Sequence, residues 1–282
     1  ETTRRIIALQ ESAGVDIPMG GQVAWDDAQT YFARDVSGFA IAGLIRYLDT
    51  NTYYRQPEIT GPVSWTQPVT VETFRTAQGM AHRPLKAFLP GPYSLYRFSR
   101  DLHYKDPKEA LAKVGEALAK EAKALEDAGA TWIHFEEPWL GRAHASEAPL
   151  VTAALAPVLR GRKAKTVLHV PFRSPAAVFD ALRDLPWTVL GLDLVEAADA
   201  WDLVGKVPVG RTVGLGLVDA RNTRLEDPAS VAGEVRRARS RRPDLSWQLC
   251  TTASLEYLPV DRAAMKVARL TEAARLASRN GG

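Results

Sequence analysis

The chain has 282 residues, of which 46% are hydrophobic, 36 are Lys or Arg and 33 are Asp or Glu. This length suits one large α/β barrel or two ordinary domains, and the composition excludes a disordered or collagen-like chain. A membrane-spanning helix needs about 18 consecutive apolar residues, and the sequence has no such run. The single cysteine excludes an internal disulfide and any zinc site that takes two thiolates from this chain.

The net charge of +3 is small, and part of the basic excess lies in one run, EVRRARSRR (234–242). Such a run on a predicted helix is typical of a solvated surface, so we do not expect a nucleic-acid or membrane partner. The sequence begins at Glu1 without a signal peptide, and we expect a cytoplasmic protein.

A predicted helix over RRIIALQESAG (4–14) opens the chain, and short apolar runs then alternate with helical patterns. Seven runs are predicted to be buried strands: 15–18, 85–90, 131–138, 165–172, 187–195, 211–219 and 246–250. Helices are predicted at 107–128, 146–160, 173–185, 197–205, 227–242 and 260–279. This alternation indicates a parallel sheet covered by helices, and the near-continuous apolar strands favour a (β/α)8 barrel.

Seven strands are one fewer than a closed barrel needs. Because a helix precedes the first of them, we expect that the barrel's first strand lies upstream of Glu1 and is absent from this chain; an open, incomplete barrel is the alternative. The stretch from about 36 to 72 does not fit the alternation and is predicted to be a hairpin or long loop inserted at one end of the barrel. With no repeat or linker, residues 1–282 are predicted to form one domain.

Polar side chains follow most of the predicted strands, at the end where barrel enzymes carry their active sites. They include Glu136, Glu137, His169, Asp193, Glu196 and Asp219. Adjacent strand residues point to opposite faces, so only one of Glu136 and Glu137 can face the barrel mouth, where a carboxylate can bind an ammonium group or act as an acid or base. The structural alternative is that Glu137 caps the helix that follows its strand and that His169 is a hydrogen-bonded core residue.

Several segments resemble the cobalamin-independent methionine synthase family, above all its short, single-barrel archaeal-type members, which match the catalytic C-terminal half of the long form. They are GGQVAWDDAQTYFAR (20–34), TNTYYRQPEI (50–59), KAFLPGPYSL (86–95), AGATWIHFEEPWL (128–140), LHV (168–170), LGLVDARNTRLED (215–227) and SLEYLP (254–259). The resemblance keeps the same order from about residue 5 to 278. It implies a barrel that transfers a methyl group to the sulfur of homocysteine.

The resemblance also implies a zinc site, because the family holds zinc with His, Cys, Glu and Cys and so lowers the pKa of the acceptor thiol. The His falls on His169 and the Glu on Glu196, whereas the two Cys fall on Pro171 and Ala253. Two ligands of four do not make a tight zinc site. We therefore assign no firm cofactor and keep His169 and Glu196 as an incomplete metal site.

Other positions keep the family's residue types. Glu136 stands where the family has the carboxylate that binds the homocysteine amino group, and Phe98 lies near the family's folate-stacking aromatic residue. Asp219 lies near the long form's acid histidine. With Glu137 and Tyr93 from the predicted strand ends and Arg55 from a loop-like segment, these positions predict catalysis by Glu136, Glu137 and Asp219, and substrate binding by Glu136, Phe98, Arg55 and Tyr93.

Three functions stay open at this point. The first is methyl transfer to an amino-acid thiol with an unusual metal site or none, using a folate, a corrinoid protein or another methyl donor. The second is a zinc-free enzyme of the same superfamily that uses carboxylate and histidine acid–base chemistry on another small molecule. The third is a non-catalytic binding partner that keeps the pocket without the metal.

Overall fold

The computed structural model describes residues 1–279. Its first part contains the helices α1 (Thr2–Ala13), α2 (Ala28–Arg34) and α3 (Val71–Gln78) and the strands β1 (Ser37–Arg46) and β2 (Tyr53–Ser64). β1 and β2 are antiparallel, with Ile45 opposite Tyr54, which confirms the hairpin predicted within 36–72.

The predicted strand at 15–18 is wrong, because this segment has no strand in the structure. A single parallel bridge joins Met19 to Lys86, and the Lys86 amide donates to the Pro18 carbonyl at 2.9 Å. Pro18 has no N–H to donate to a strand ladder, and the flexible pair Gly20 and Gly21 follows immediately. The pairing therefore stays limited to one bridge.

The rest of the chain alternates strands and helices. In chain order the elements are β3 (Lys86–Pro90), α4 (Pro92–Phe98), β4 (Arg100–Asp101), α5 (Pro107–Asp127), β5 (Trp132–Glu136), α6 (Ala148–Leu159), β6 (Lys165–Val170), α7 (Phe179–Arg183), β7 (Val189–Asp193), α8 (Ala200–Val204), β8 (Thr212–Val218), α9 (Pro228–Arg241), β9 (Ser246–Thr251) and α10 (Val260–Arg279). β3, β5, β6, β7, β8 and β9 form one sheet in that order, and every neighbouring pair is parallel. Together with the helical crossovers, this order confirms the predicted α/β barrel class.

Local sequence signals explain where the two main crossover helices begin. The Asp106 carboxylate accepts from the Lys108 amide at 2.9 Å at the start of α5, and the Asp227 carboxylate accepts from the Ser230 amide at 3.0 Å at the start of α9. In both helices the first residue is proline, which has no amide hydrogen to leave unsatisfied there.

The parallel sheet separates an apolar outer face from a polar inner face. Side chains at alternate strand positions, such as Leu89, Phe135, Leu168, Leu190 and Leu215, are fully buried and pack with the surrounding helices. Burial of each such side chain contributes about 1.5–3 kcal/mol. Because strand side chains alternate with a period of two, the intervening residues face inwards, and these include the ionisable groups of β5 and β6.

Among residues 1–279, no helix is long and apolar enough to cross a membrane.

Candidate active site

The inner floor of the sheet carries a carboxylate between two imidazoles, here called the His–Glu–His cluster (His134, Glu136 and His169). Glu136 and His169 are partners in the pairing of β5 with β6, and His134 shares the face of Glu136 because it lies two residues earlier. Glu136 Oε2 lies 3.5 Å from His169 Nδ1 and 3.7 Å from His134 Nε2. The three side chains are 6–12% exposed, so the cluster is largely withdrawn from solvent.

Burial and mutual contacts set the charges of the cluster. Burial opposes ionisation of Glu136, but its contacts with the two imidazoles outweigh this effect and lower its pKa to about 2. Burial lowers the pKa of His134 to about 3, so that imidazole is neutral at neutral pH. An ionised carboxylate beside a neutral imidazole can attract a cation or assist a proton transfer.

Neighbouring residues fix the two rings in place. The Phe88 ring stacks on the His134 ring with a centroid distance of 5.3 Å and an interplanar angle of 18°. On the other side, His169 occupies the space above Gly191, where a Cβ atom would lie 2.6 Å from His169 Cδ2. Gly191 is therefore needed at this position for His169 to reach the carboxylate.

The cluster has the composition and size of a small metal site. Neither ring nitrogen of His134 or of His169 has a hydrogen-bond partner among the described residues. One ligand atom from each of the three side chains lies within 4.8 Å of the other two. Within residues 1–279, no other group of three or more His, Cys, Asp or Glu side chains is compact enough to share one metal ion.

Glu137 lies on the other side of β5 and contacts the start of α4. It is fully buried, and its two carboxylate oxygens accept from the Tyr93 amide at 3.0 Å and the Ser94 amide at 2.7 Å. Gly91 leaves room for it, since a Cβ atom there would lie 2.1 Å from the carboxyl carbon of Glu137. Burial raises the pKa of Glu137 to about 7. Glu137 thus caps α4, the helix before β5, whereas the structural alternative drawn from the sequence was that it caps the helix after its strand.

Tyr93 and Phe98, both expected to bind substrate, are 1% and 2% exposed. The Tyr93 hydroxyl donates to the Glu147 carboxylate at 3.0 Å. Phe98 belongs to an aromatic wall, in which its ring stacks on Tyr47 at 4.8 Å and meets the edge of Tyr54 at 5.1 Å. The wall also contains Phe172 and Ala253, at the ends of β6 and β9, and so borders the mouth of the sheet.

The four positions that the resemblance assigns to zinc do not fit the ion. Pro171 and Ala253 are buried and offer no ligand atom. Glu196 is exposed, and its carboxylate forms an ion pair with the Arg221 guanidinium at 2.6 Å. Of the four, His169 is the residue that belongs to the compact group described above.

Asp193 and Asp219 hold loops at the mouth. Asp193 accepts from the Phe172 amide at 3.1 Å and thereby stabilises Phe172, whose φ of 72° is left-handed. Asp219 accepts from the Arg221 amide at 2.7 Å and contacts the Asn222 side chain. Arg55 is exposed on β2, where its backbone carbonyl accepts from the Thr30 hydroxyl at 2.9 Å.

Three residues near the inner face of the sheet are absent from the site predicted from the sequence. His134 was absent from the expected set, although the alternation within TWIHFEEP places it on the same face as Glu136. Half-buried Lys86 has a lowered pKa because of burial, while the charges of Cys250 and Glu136 act in the opposite sense. In the turn after β9, Glu256 is exposed to solvent at the mouth, where the partial desolvation by surrounding protein and the charge of Glu136 raise its pKa to about 7.

A comparison with protein families shows what this architecture is similar to. A family model described as the catalytic domain of cobalamin-independent synthase matches residues 1–275. The methionine synthase of Sulfurisphaera tokodaii is 27% identical over 275 residues, which cover 94% of this chain and 78% of that protein. The methionine synthase of Thermococcus kodakarensis is 28% identical over 237 residues, covering 82% of this chain and 69% of that protein.

Solved structures agree on the fold. A B12-independent methionine synthase from Shewanella sp. W3-18-1, solved in complex with selenomethionine, superposes with a TM-score of 0.89 at 23% identity over 98% of this chain and 86% of that chain. A methyltransferase from Methanosarcina mazei superposes with a TM-score of 0.57 at 13% identity over 96% of this chain and 84% of that chain. At these identities the likeness shows a shared fold.

Proposed function

Because the chain belongs to the family of cobalamin-independent synthase catalytic domains, we propose that it is a methyltransferase whose acceptor is an amino-acid thiol such as homocysteine. The observation that carries this proposal is Glu136, an ionised and largely buried carboxylate on the inner face at the carboxyl end of β5. In barrel enzymes that end of the strands is where substrates bind.

Glu136 can hold the ammonium group of the acceptor. A buried carboxylate forms a stronger charge-assisted hydrogen bond than an exposed one, because less water competes for the donor. The Shewanella relative was solved with selenomethionine, an amino acid that carries a methylated chalcogen. This supports an amino-acid site in the same fold.

The wall formed by Tyr47, Tyr54, Phe98 and Phe172 supplies the apolar surface that a methyl donor needs. Aromatic side chains at the mouth exclude water from the reacting atoms and can pack against a flat ring of the donor. The family's cobalamin independence gives no support to a corrinoid protein as the donor. We therefore propose that the methyl donor is a small molecule.

The acceptor sulfur must lose its proton before it attacks the methyl group, since an ordinary thiol has a pKa of about 8.5. A zinc ion held by two cysteines cannot assist, because Pro171 and Ala253 stand at those positions. We infer that activation falls to groups on the inner floor, where His134 and His169 contact Glu136.

Calorimetric titration with L-homocysteine and L-methionine tests the proposal. Glu136→Gln should weaken binding of both amino acids roughly tenfold to a hundredfold, because a charge-assisted contact to the ammonium group is lost. Glu272→Gln, which removes an exposed carboxylate of α10, is the control and should leave both affinities unchanged. Unchanged affinity in Glu136→Gln would contradict the assigned role, and absence of methionine formation with folate-type donors would contradict the assigned reaction.

A second candidate, acid–base chemistry on another substrate, is favoured by one observation. Glu256 has a pKa raised to about 7, whereas the pKa of Glu136 is lowered to about 2. Carboxyl groups whose pKa values are driven apart can serve as acid and base in one site. Tyr257 lies beside Glu256, with a pKa raised by burial and by the charge of Glu256.

A further inference from the structure

We propose that His134, Glu136 and His169 bind one divalent first-row transition metal ion, at a place different from the zinc position that the family resemblance implies. The two sites share His169. The proposed site takes its other ligands from β5 on the inner floor, rather than from the loops after β6, β7 and β9 where Pro171, Glu196 and Ala253 lie.

The distances fit a metal ion after a small movement. Zinc bonds to imidazole nitrogen and carboxylate oxygen are about 2.0–2.2 Å long, which places neighbouring ligand atoms of a tetrahedron roughly 3.3–3.6 Å apart. Glu136 Oε2 lies 3.5 Å from His169 Nδ1 and 3.7 Å from His134 Nε2. The ligand atoms of the two imidazoles lie within 4.8 Å of each other, so side-chain rotations that shorten this distance by up to about 1 Å would complete the geometry.

The two imidazoles lack any other partner. His134 and His169 are both buried, and neither nitrogen of either ring has a hydrogen-bond partner among residues 1–279. Buried polar nitrogens are costly when unpaired, so native structures seldom leave four of them in one place. A shared cation would satisfy one nitrogen of each ring.

The surrounding charges also favour a cation. The Lys86 ammonium group opposes cation binding, because its positive charge interacts with the Glu136 carboxylate. Asp193 acts on His169, so the carboxylates of Glu136 and Asp193 stand against one ammonium group. The balance of nearby charge is negative, which stabilises a bound divalent ion.

The ligand types select the class of ion. Imidazole nitrogen suits zinc, cobalt, iron and nickel, whereas magnesium and calcium prefer sites made of oxygen alone. Two neutral imidazoles and one carboxylate leave a divalent ion with a net charge of +1, whereas three anionic ligands would leave −1. The less neutralised ion is the stronger Lewis acid, and its remaining positions are open to a substrate.

The role of this ion rests on the proposed function, although its binding does not. The acceptor thiol would bind to an open position through sulfur and release its proton to solvent, with no change in oxidation state. Glu136 can contact both the metal ion and the acceptor amino acid, because its Oε2 atom faces the imidazoles and its Oε1 atom is left for the ammonium group. The metal would thus replace the missing thiolate-bound zinc as the group that lowers the thiol pKa.

Titration of metal-stripped full-length chain with Co²⁺ and Zn²⁺ tests the site. One equivalent should bind, and the cobalt complex should show visible d–d bands without a near-ultraviolet thiolate charge-transfer band. Because this spectrum needs no substitution, it remains informative if a variant fails to fold. No binding, or a charge-transfer band that points to Cys250, would overturn the proposal.

Two pairs of variants locate the ligands. His134→Gln and His169→Gln should each weaken cobalt binding at least a hundredfold, whereas Glu196→Gln and Cys250→Ser should leave it unchanged. A loss in Glu196→Gln equal to that in His134→Gln would assign the ion to the family position instead. Metal binding and methylation measured on the unsubstituted chain separate the two proposals: metal binding without methylation defeats the proposed function alone, and methylation without metal binding defeats this inference alone.

Discussion

Glu136 and His169 face each other across the β5–β6 pair, and the carboxylate Oε2 of the first lies 3.5 Å from the imidazole Nδ1 of the second. The contact depends on strand register, because a slip of one residue would turn either side chain towards the helices. The chemistry of the floor is therefore fixed by the same backbone pairing that holds the sheet together.

The first prediction concerns the space that His169 occupies. A Cβ atom at Gly191 would lie 2.6 Å from the ring, so Gly191→Ala should displace His169 and lower the free energy of unfolding by about 1–3 kcal/mol. Urea unfolding measures this change. The matched control is Gly233→Ala in α9, where a Cβ atom meets nothing within 4 Å and alanine should stabilise the helix by up to about 1 kcal/mol. Equal effects of the two substitutions would refute the steric argument.

The second prediction concerns the pH dependence of stability. Burial raises the pKa of Glu137 from its ordinary 4.5 to about 7 in the folded chain. The folded state therefore holds a proton that the unfolded state releases between these pH values, and the contribution of this group to stability is lost as pH rises through that window. Urea unfolding should accordingly give a free energy that falls from about pH 5 to about pH 8.

Glu137→Gln should reduce this decline, because the amide does not titrate. The exposed carboxylate of Glu272 in α10 supplies the control, and Glu272→Gln should keep the wild-type slope. If Glu137→Gln and the wild type lose stability equally over the same pH range, Glu137 is not the buried acid responsible.

The alternation of strands and helices made much of the fold predictable from the sequence, and strand periodicity separated Glu136 from Glu137. The same rule places His134 on the face of Glu136, whereas the family resemblance implies metal ligands at the strand ends instead. The apolar pattern at 15–18 wrongly predicted a strand, because Pro18 has no amide hydrogen and pairing there is limited to one bridge.

The aromatic wall was beyond sequence reasoning for another reason. Tyr47 lies at the end of β1, and Phe98 lies at the end of α4, yet their rings stack at 4.8 Å. Contacts between an inserted hairpin and a barrel loop depend on how the hairpin folds over the sheet, and no local periodicity encodes that. The capping role of Glu137 likewise depends on Gly91, whose missing side chain leaves room for the carboxylate.

The third prediction restores the missing thiolates. Pro171 and Ala253 are both buried just after the ends of β6 and β9, and the double substitution Pro171→Cys with Ala253→Cys should raise zinc affinity at least tenfold, about 1.4 kcal/mol. The cobalt form should gain a thiolate charge-transfer band. The corresponding double serine variant controls for size and polarity. A double cysteine variant that binds zinc no more tightly than the parent would show that these positions do not converge with His169.

The final prediction concerns Glu256 and the binding of an amino acid. Partial desolvation by surrounding protein and the charge of Glu136 raise the pKa of Glu256 to about 7, so it is mostly neutral below that pH and ionised above it. L-Methionine has no thiol to titrate and keeps its ammonium charge throughout, so its affinity should rise about twofold to fivefold as pH increases through 7, because a second carboxylate then attracts the ammonium group. Calorimetric titrations at several pH values measure this change. Glu256→Gln should abolish it and Glu272→Gln should keep it, whereas an affinity in the wild type that does not vary with pH would place Glu256 outside the amino-acid site.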